Sequence, residues 1–236
     1  MGVKVLAFGG GVQTTALLLL RKEGRVSFDH AVFADTIAER PETYGHLARL
    51  QNAGFTYNTV VSKDGPLEDW LWHRSTCIPV LGADWRGHRQ CTEKWKIRPI
   101  NRYLRELGAD TLLIGISADE VHRLKPPQEK WVTREWPLVD MGWTRRRCQD
   151  YLREGGYIDV PRSACWFCPL QSIGRWRSLQ SQHPDLWQRA MLLEKQLNER
   201  KGARVYLTGN RLPLSHLDGQ MNLDLEGEEC EGFCFT

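Results

Sequence analysis

The stretch Val3-Lys4-Val5-Leu6-Ala7-Phe8-Gly9-Gly10-Gly11-Val12-Gln13-Thr14-Thr15-Ala16-Leu17-Leu18-Leu19-Leu20 decides the fold. Residues 3–8 read as a buried strand of a parallel sheet, the glycines break it, and residues 14–22 carry an apolar helical run. Glycines at that junction let the backbone turn with positive φ and approach a ligand closely. The helix start then offers unpaired N–H groups and a partial positive charge to an anion. Phe8, Gly9, Gly10, Gly11, Gln13, Thr14 and Thr15 therefore form a candidate phosphate loop, with Thr14 and Thr15 adding hydroxyl donors. A tight structural turn is the competing reading of the same glycines. The loop is not of the Walker type, because no Gly-Lys-Ser/Thr follows, and it is not G-x-G-x-x-G.

Outward from this unit, residues 31–34, 56–61 and 111–115 read as further strands. Helical patterns lie at 41–53, with Pro41 near its first turn, and at 99–107. Alternation of this kind predicts an α/β fold with a parallel, doubly wound sheet. Residues 64–90, rich in Trp, Gly and Pro, read as irregular with a short helix around 67–73, and Lys125-Pro126-Pro127 interrupts the pattern again. Later helices are expected at 144–154, capped by Thr144, and at 184–201, ended by Gly202. The expected organisation is an α/β domain over residues 1–160 followed by a helical, cysteine-bearing extension with an acidic tail over 161–236.

Bulk composition fits a globular chain: 236 residues, 41% hydrophobic and 26% charged. No apolar run approaches the roughly 18 residues of a membrane span, and the start lacks a signal-peptide layout, so the cytoplasm is the expected location. The net charge is +3, with basic residues crowded into residues 86–105 and into Arg145, Arg146, Arg147, Arg153, Arg162, Arg175 and Arg177. Solvated surface is one reading of these runs. Nucleic-acid contact, with Trp143, Trp166 and Trp176 as stacking platforms, is the other.

Seven cysteines without an export signal argue against a disulfide framework. Cys165-Trp166-Phe167-Cys168-Pro169 is a C-x-x-C, whose spacing lets two thiolates face one ion or cluster. Cys77 and Cys91 are two further ligand candidates, and an all-thiolate shell suits a soft metal. Zinc and a four-iron cluster fit this set equally, and a thioredoxin-like redox pair is the alternative. Cys148 reads as a plain packed thiol.

Five segments in order resemble the ATP pyrophosphatase and phosphoadenylyl-sulfate reductase superfamily. The glycine loop is similar to its S-G-G-x-D-S, with Gly9 and Gln13 at the Ser and Asp positions. Asp35-Thr36 with Glu39-Arg40-Pro41-Glu42-Thr43-Tyr44 resembles D-T-G-x-x-x-P-E-T-Y. The segment Cys91-Thr92-Glu93-Lys94-Trp95-Lys96-Ile97-Arg98-Pro99 resembles C-x-x-x-K-x-x-P. Gly115-Ile116-Ser117-Ala118-Asp119-Glu120-Val121-His122-Arg123 resembles G-x-R-x-D-E-S-x-R, with Ser117 at the arginine. Pro137-Leu138, Trp143-Thr144 and Tyr151-Leu152 resemble the P-L-x-x-W-T and following Y-L.

The resemblance implies a Rossmann-like sheet that binds ATP or a related adenine nucleotide with Mg2+ and cleaves between the α and β phosphates to activate an acceptor. Thr36 and Gly115 would join the loop in the nucleotide cradle. Asp35 and Asp119 would be magnesium or ribose contacts, and Glu120 and Arg123 orienters. Lys94, Lys96 and Arg98 would offset thiolate charge or bind phosphates. It also implies a four-iron (4Fe-4S) cluster on Cys91, Cys165 and Cys168, with Cys77 or an outside molecule as fourth ligand, because residue 90 is Gln where the cluster-bearing reductases have a second cysteine. The implied role is sulfur transfer, such as nucleic-acid thiolation or DNA phosphorothioation, with a cysteine desulfurase or another sulfur donor as partner; oligomers are compatible with it. The tail Glu229-Cys230-Glu231-Gly232 is similar to the Glu-Cys-Gly end of adenylyl-sulfate reductases, which implies Cys230 as an attacking thiol and adenylyl-sulfate reduction as the second function. A solvated tail is the other reading of Cys230. A non-catalytic zinc module that binds nucleic acid is the third function.

Overall fold

The computed structural model describes residues 2–124 and 129–219. The chain opens with β1 (Val3–Ala7), α1 (Val12–Lys22), β2 (His30–Asp35), α2 (Pro41–Asn52) and β3 (Asn58–Val61). After α3 (Leu67–His73), a short α4 (Gln90–Thr92) runs through a π-helical segment (Glu93–Ile97) into α5 (Arg98–Leu107). Then come β4 (Ala109–Ile114), a 3-10 turn (Ala118–Arg123), β5 (Thr133–Glu135), α6 (Pro137–Asp140) and α7 (Arg145–Glu154). The described part closes with α8 (Ile173–Gln182), α9 (Pro184–Lys201) and a 3-10 turn (Leu214–Gly219).

The sheet has the order β3-β2-β1-β4-β5 and every pair is parallel. From β1 the chain moves outward to β2 and β3, then returns to place β4 on the other side. The strand order therefore reverses between β1 and β4, and the crevice beyond their C-terminal ends is where an open α/β sheet binds its ligand. Both faces of β1 are covered. Leu6 and Phe8 enter a core with α1, α2 and α7, whereas Val5 and Ala7 enter one with Ile100, Leu104, Leu112 and Ile114. This two-residue alternation on a strand buried on both faces explains its continuous apolar run. α1 is buried along its whole first two turns and packs against α7. A third core gathers Trp95, Trp166, Phe167, Trp176 and Trp187 with Leu67 and Leu71, beneath the cysteine segment.

The parallel α/β architecture and the C-terminal helices are as the sequence predicts. Thr144 caps α7, its hydroxyl accepting the Arg147 N–H at 3.2 Å. β5 was not expected: Thr-Arg-Glu is a short polar edge strand without an apolar run. α6 and α8 were also not foreseen, and the expected break at Lys125-Pro126-Pro127 lies outside the described residues. Among the described residues, no helix is long and apolar enough to cross a membrane.

Candidate functional site

The glycine loop sits at the reversal point. Phe8 extends the sheet, its N–H bonding the Val32 carbonyl at 2.9 Å. Gly10 then turns at φ 72°, a left-handed conformation that glycine adopts without strain. A Cβ on Gly10 would face Leu47, Thr43 and Phe33 at 3.4 to 3.7 Å, whereas one on Gly11 would meet nothing within 4 Å. The close-approach position is therefore Gly11. It caps α1 with no side-chain hydrogen bond, so the helix start keeps its pull on an anion. The two threonines turn elsewhere: the Thr14 hydroxyl bonds the Gly11 carbonyl at 3.3 Å, and the Thr15 hydroxyl pairs with His46 Nε2 at 3.0 Å. Burial, then Arg49, pushes the His46 imidazole down to about 4, so it is neutral at physiological pH.

Opposite the loop, residues after β4 and the start of α7 close a polar ring. Gln13 donates to Glu120 at 3.0 Å and accepts from the Arg145 guanidinium at 3.1 Å. Glu120 also accepts from Ser117 at 3.2 Å and from Arg123. The Asp119 carboxylate receives the Arg145 backbone N–H at 3.0 Å. Burial alone would raise the Asp119 carboxyl, but the Ser117 hydroxyl and the Arg145 N–H hold it below its usual value. Burial also lowers the Arg145 guanidinium, and the charges of Glu120 and Asp119 oppose that.

The residues after β2 join this loop to the thiols. Residues 39 and 165 form an antiparallel bridge, flanked by the Arg40 N–H on the Ala164 carbonyl at 3.1 Å and the Trp166 N–H on the Ala38 carbonyl at 3.0 Å. The Thr36 hydroxyl lies 3.3 Å from Cys165 Sγ. Cys91, Cys165 and Cys168 line one recess together with Thr36, Lys96 and Phe167. Cys77 is not on its wall; it lies buried behind Cys91, whose N–H bonds the Cys77 carbonyl at 2.9 Å. Burial pushes the Cys77 thiol up to about 12 and, with the Glu39 charge, pushes the Cys165 thiol well above its usual value. Lys96 reaches the buried Glu39 carboxylate at 3.5 Å, and Ser163 donates to the other oxygen at 3.0 Å. Among the described residues, no three His, Cys, Asp or Glu side chains form a group that could hold a metal ion as placed.

The family model of the phosphoadenosine phosphosulfate reductase domain matches residues 4–178. The chain belongs to this family. It is 25% identical over 189 residues to the phosphoadenosine 5'-phosphosulfate reductase of Salmonella typhi, covering 78% of this chain and 74% of that protein. It is 31% identical over 148 residues to the uncharacterised nin region protein ORF290 of Escherichia phage lambda. That match covers 52% of this chain and spans about half of the phage protein, 51% of its length. The crystal structure of the phosphoadenylyl-sulfate reductase from Candida auris, a phosphate complex, superposes with a TM-score of 0.51 at 18% identity, over 68% of this chain and 75% of that one, and so shares the fold.

Of the residues expected to act in this reductase-family chain, the structure brings Gln13, Asp119, Glu120 and Arg123 into one ring and Cys91, Cys165 and Cys168 around one recess. Gly115 follows β4, beside the ring. Asp35 ends β2, where its Oδ1 accepts from the Tyr44 hydroxyl at 2.8 Å and the Ile37 N–H at 2.7 Å. Burial, then Asp35, pushes the Tyr44 phenol upward, so it stays a donor. Lys96 belongs to the recess, whereas Lys94 stacks 4.3 Å over Trp70 and Arg98 pairs with Glu93 at 3.1 Å. Cys230 lies outside the described residues. Trp143, Trp166 and Trp176, expected as stacking platforms, are buried in the core and present no face to a base. Arg146 and Arg153 share Asp150 at 3.2 and 2.7 Å, and Arg147 pairs with Glu154 at 3.4 Å, so the basic run of α7 is offset by its own acids. Arg145, read only as part of that run, is the residue the sequence reading missed; its place directly after the Thr144 cap was the available signal.

Proposed function

We propose that this chain binds ATP with its phosphates on the loop of residues 9–15 and cleaves the α–β phosphate bond to activate an acceptor. The observation that carries this reading is the α1 start at the sheet's reversal point, open at Gly11 and faced by Arg145 through Gln13. An acceptor oxygen attacks the α-phosphorus, the bond to the bridging oxygen breaks, and pyrophosphate leaves with the electron pair. The N–H groups of the first α1 turn stabilise charge on the phosphate oxygens, and Arg145 adds a fixed cation. Magnesium on the nucleotide needs one or two carboxylates besides the phosphates, and Asp35 and Asp119 are the residues placed to supply them.

Three thiols on the walls of one apolar recess suit a four-iron cluster, which is held by thiolates and is larger than a single ion. Cys91, Cys165 and Cys168 would hold it, with Cys77 or an outside molecule as the fourth ligand; zinc is the alternative occupant. When bound, the cluster would hold or deliver sulfur. The product class is then a thiolated or phosphorothioate nucleic acid, with a cysteine desulfurase or similar donor upstream.

A second reading, adenylyl-sulfate reduction with Cys230 attacking sulfur and an external thiol releasing sulfite, is favoured by the family and by the Salmonella typhi relative. Incubation with ATP and with adenylyl sulfate separates the two. Pyrophosphate release from ATP is the expected result, thiol-dependent sulfite supports the reductase, and the absence of both products rejects both.

A further inference from the structure

One carboxylate oxygen organises the turn that follows β2. Asp35 Oδ1 accepts from the Ile37 N–H and from the Tyr44 hydroxyl, and that hydroxyl in turn accepts the Glu39 N–H at 3.3 Å. Ile37 is held there at φ 57°. Among the described residues, the non-glycine positions with positive φ are Ile37, Asp159 and Arg211, and Ile37 is the β-branched one. Its Cβ crowds the neighbouring backbone in that conformation, where glycine carries no such cost. Strain of this kind persists where the surroundings enforce it and a site gains from it. The gain is not core packing, since Ile37 is 47% exposed and Tyr44 37% exposed.

Position shows what the gain is. β1 and β2 end side by side, and a Cβ on Gly10 would lie 3.6 Å from Thr43, the residue next to Tyr44. Two exposed apolar side chains, fixed by Asp35, thus flank the loop that presents helix N–H groups to an anion. A purine nucleotide combines those two chemistries in one molecule: a polyphosphate and a flat ring that gains from apolar contact.

We propose that Ile37 is a specificity-determining residue whose side chain, with the Tyr44 ring, forms the apolar shelf for the purine of the bound nucleotide. This rests on the adenine-nucleotide reading above. The test is titration of ATP and UTP into wild type, Ile37→Gly, Ile37→Asn and Ile37→Val, alongside thermal unfolding of each. Ile37→Gly relieves the backbone, so its Tm rises by about 2–4 °C, while its ATP affinity falls about tenfold and its preference for ATP over UTP collapses. Ile37→Asn, which tolerates the left-handed region, loses the same preference, and Ile37→Val retains it. A lower Tm for Ile37→Gly, an unchanged ATP affinity, or a wild type that binds ATP and UTP equally would overturn the shelf and leave the nucleotide reading standing. A wild type that binds neither nucleotide would overturn both.

Discussion

The Arg145 guanidinium donates to the Gln13 side-chain oxygen at 3.1 Å, joining the first residue of α7 to the phosphate loop. A carboxylate at position 13 would have supplied a negative group beside the phosphates. The amide instead spans a cation and the Glu120 carboxylate, so the positive charge facing the nucleotide comes from the protein. Arg145→Ala should weaken ATP binding by about tenfold to hundredfold, with Arg145→Lys between, because a charge-assisted contact and a rigid fork are lost. Isothermal titration reads this, and equal affinities would make Arg145 a packing residue.

The two glycines separate folding from binding. Gly10→Val forces a β-branched side chain into φ 72° against Leu47 and Thr43, and should cost about 2 kcal/mol or more of stability. Gly11→Val should cost about 1 kcal/mol, as a poorer helix cap. Its added side chain occupies the open space in front of α1, so ATP affinity should fall at least about tenfold. Urea titration and ATP binding on both variants check the contrast.

His46 sets a pH dependence. Its imidazole titrates at about 4 in the folded chain against about 6.5 when unfolded, so the unfolded state binds more protons between those values. Stability from this group is complete above about pH 6.5 and declines as pH falls toward 4, by on the order of 2–3 kcal/mol. Urea midpoints measured from pH 4 to 7 should slope less in His46→Gln than in wild type. Parallel slopes would place the proton elsewhere.

Anaerobically purified protein should show a broad visible absorbance and roughly four irons per chain. Both should be lost in Cys91→Ser and Cys165→Ser, while Cys148→Ser, altering a thiol buried against α1, keeps them. A colourless protein with stoichiometric zinc would retire sulfur delivery.

Lys96→Met leaves Glu39 buried beside the recess with its cation removed. Breaking a buried pair in this way should cost about 3 kcal/mol, read by chemical denaturation, with Glu39→Gln in the same background restoring part of it.

Much of this site could be read from the chain, and the parts that could not share a cause. The glycine loop announces itself because a strand and a helix of opposite periodicity meet there, and the thiols because two of them lie at a ligand spacing. Arg145, Arg146 and Arg147 look alike in sequence. They differ because the Thr144 cap turns the first inward toward Asp119 while the others point along an acid-lined face. Glu39 and Lys96 stand on segments far apart in the chain, and their pairing exists only once α5 lies under β2. Ile37 looks like an ordinary apolar residue, since a left-handed φ leaves no mark on composition.

The bridge between residues 39 and 165 gives the two halves of the site a common spine. A disturbance on the sulfur side, whether oxidation or withdrawal of an inorganic occupant, must be transmitted through Thr36 and residues 38–40 to the purine shelf and the start of α2. Oxygen exposure would then register as a change in nucleotide affinity, which makes ATP binding itself a reporter of the state of the cysteines.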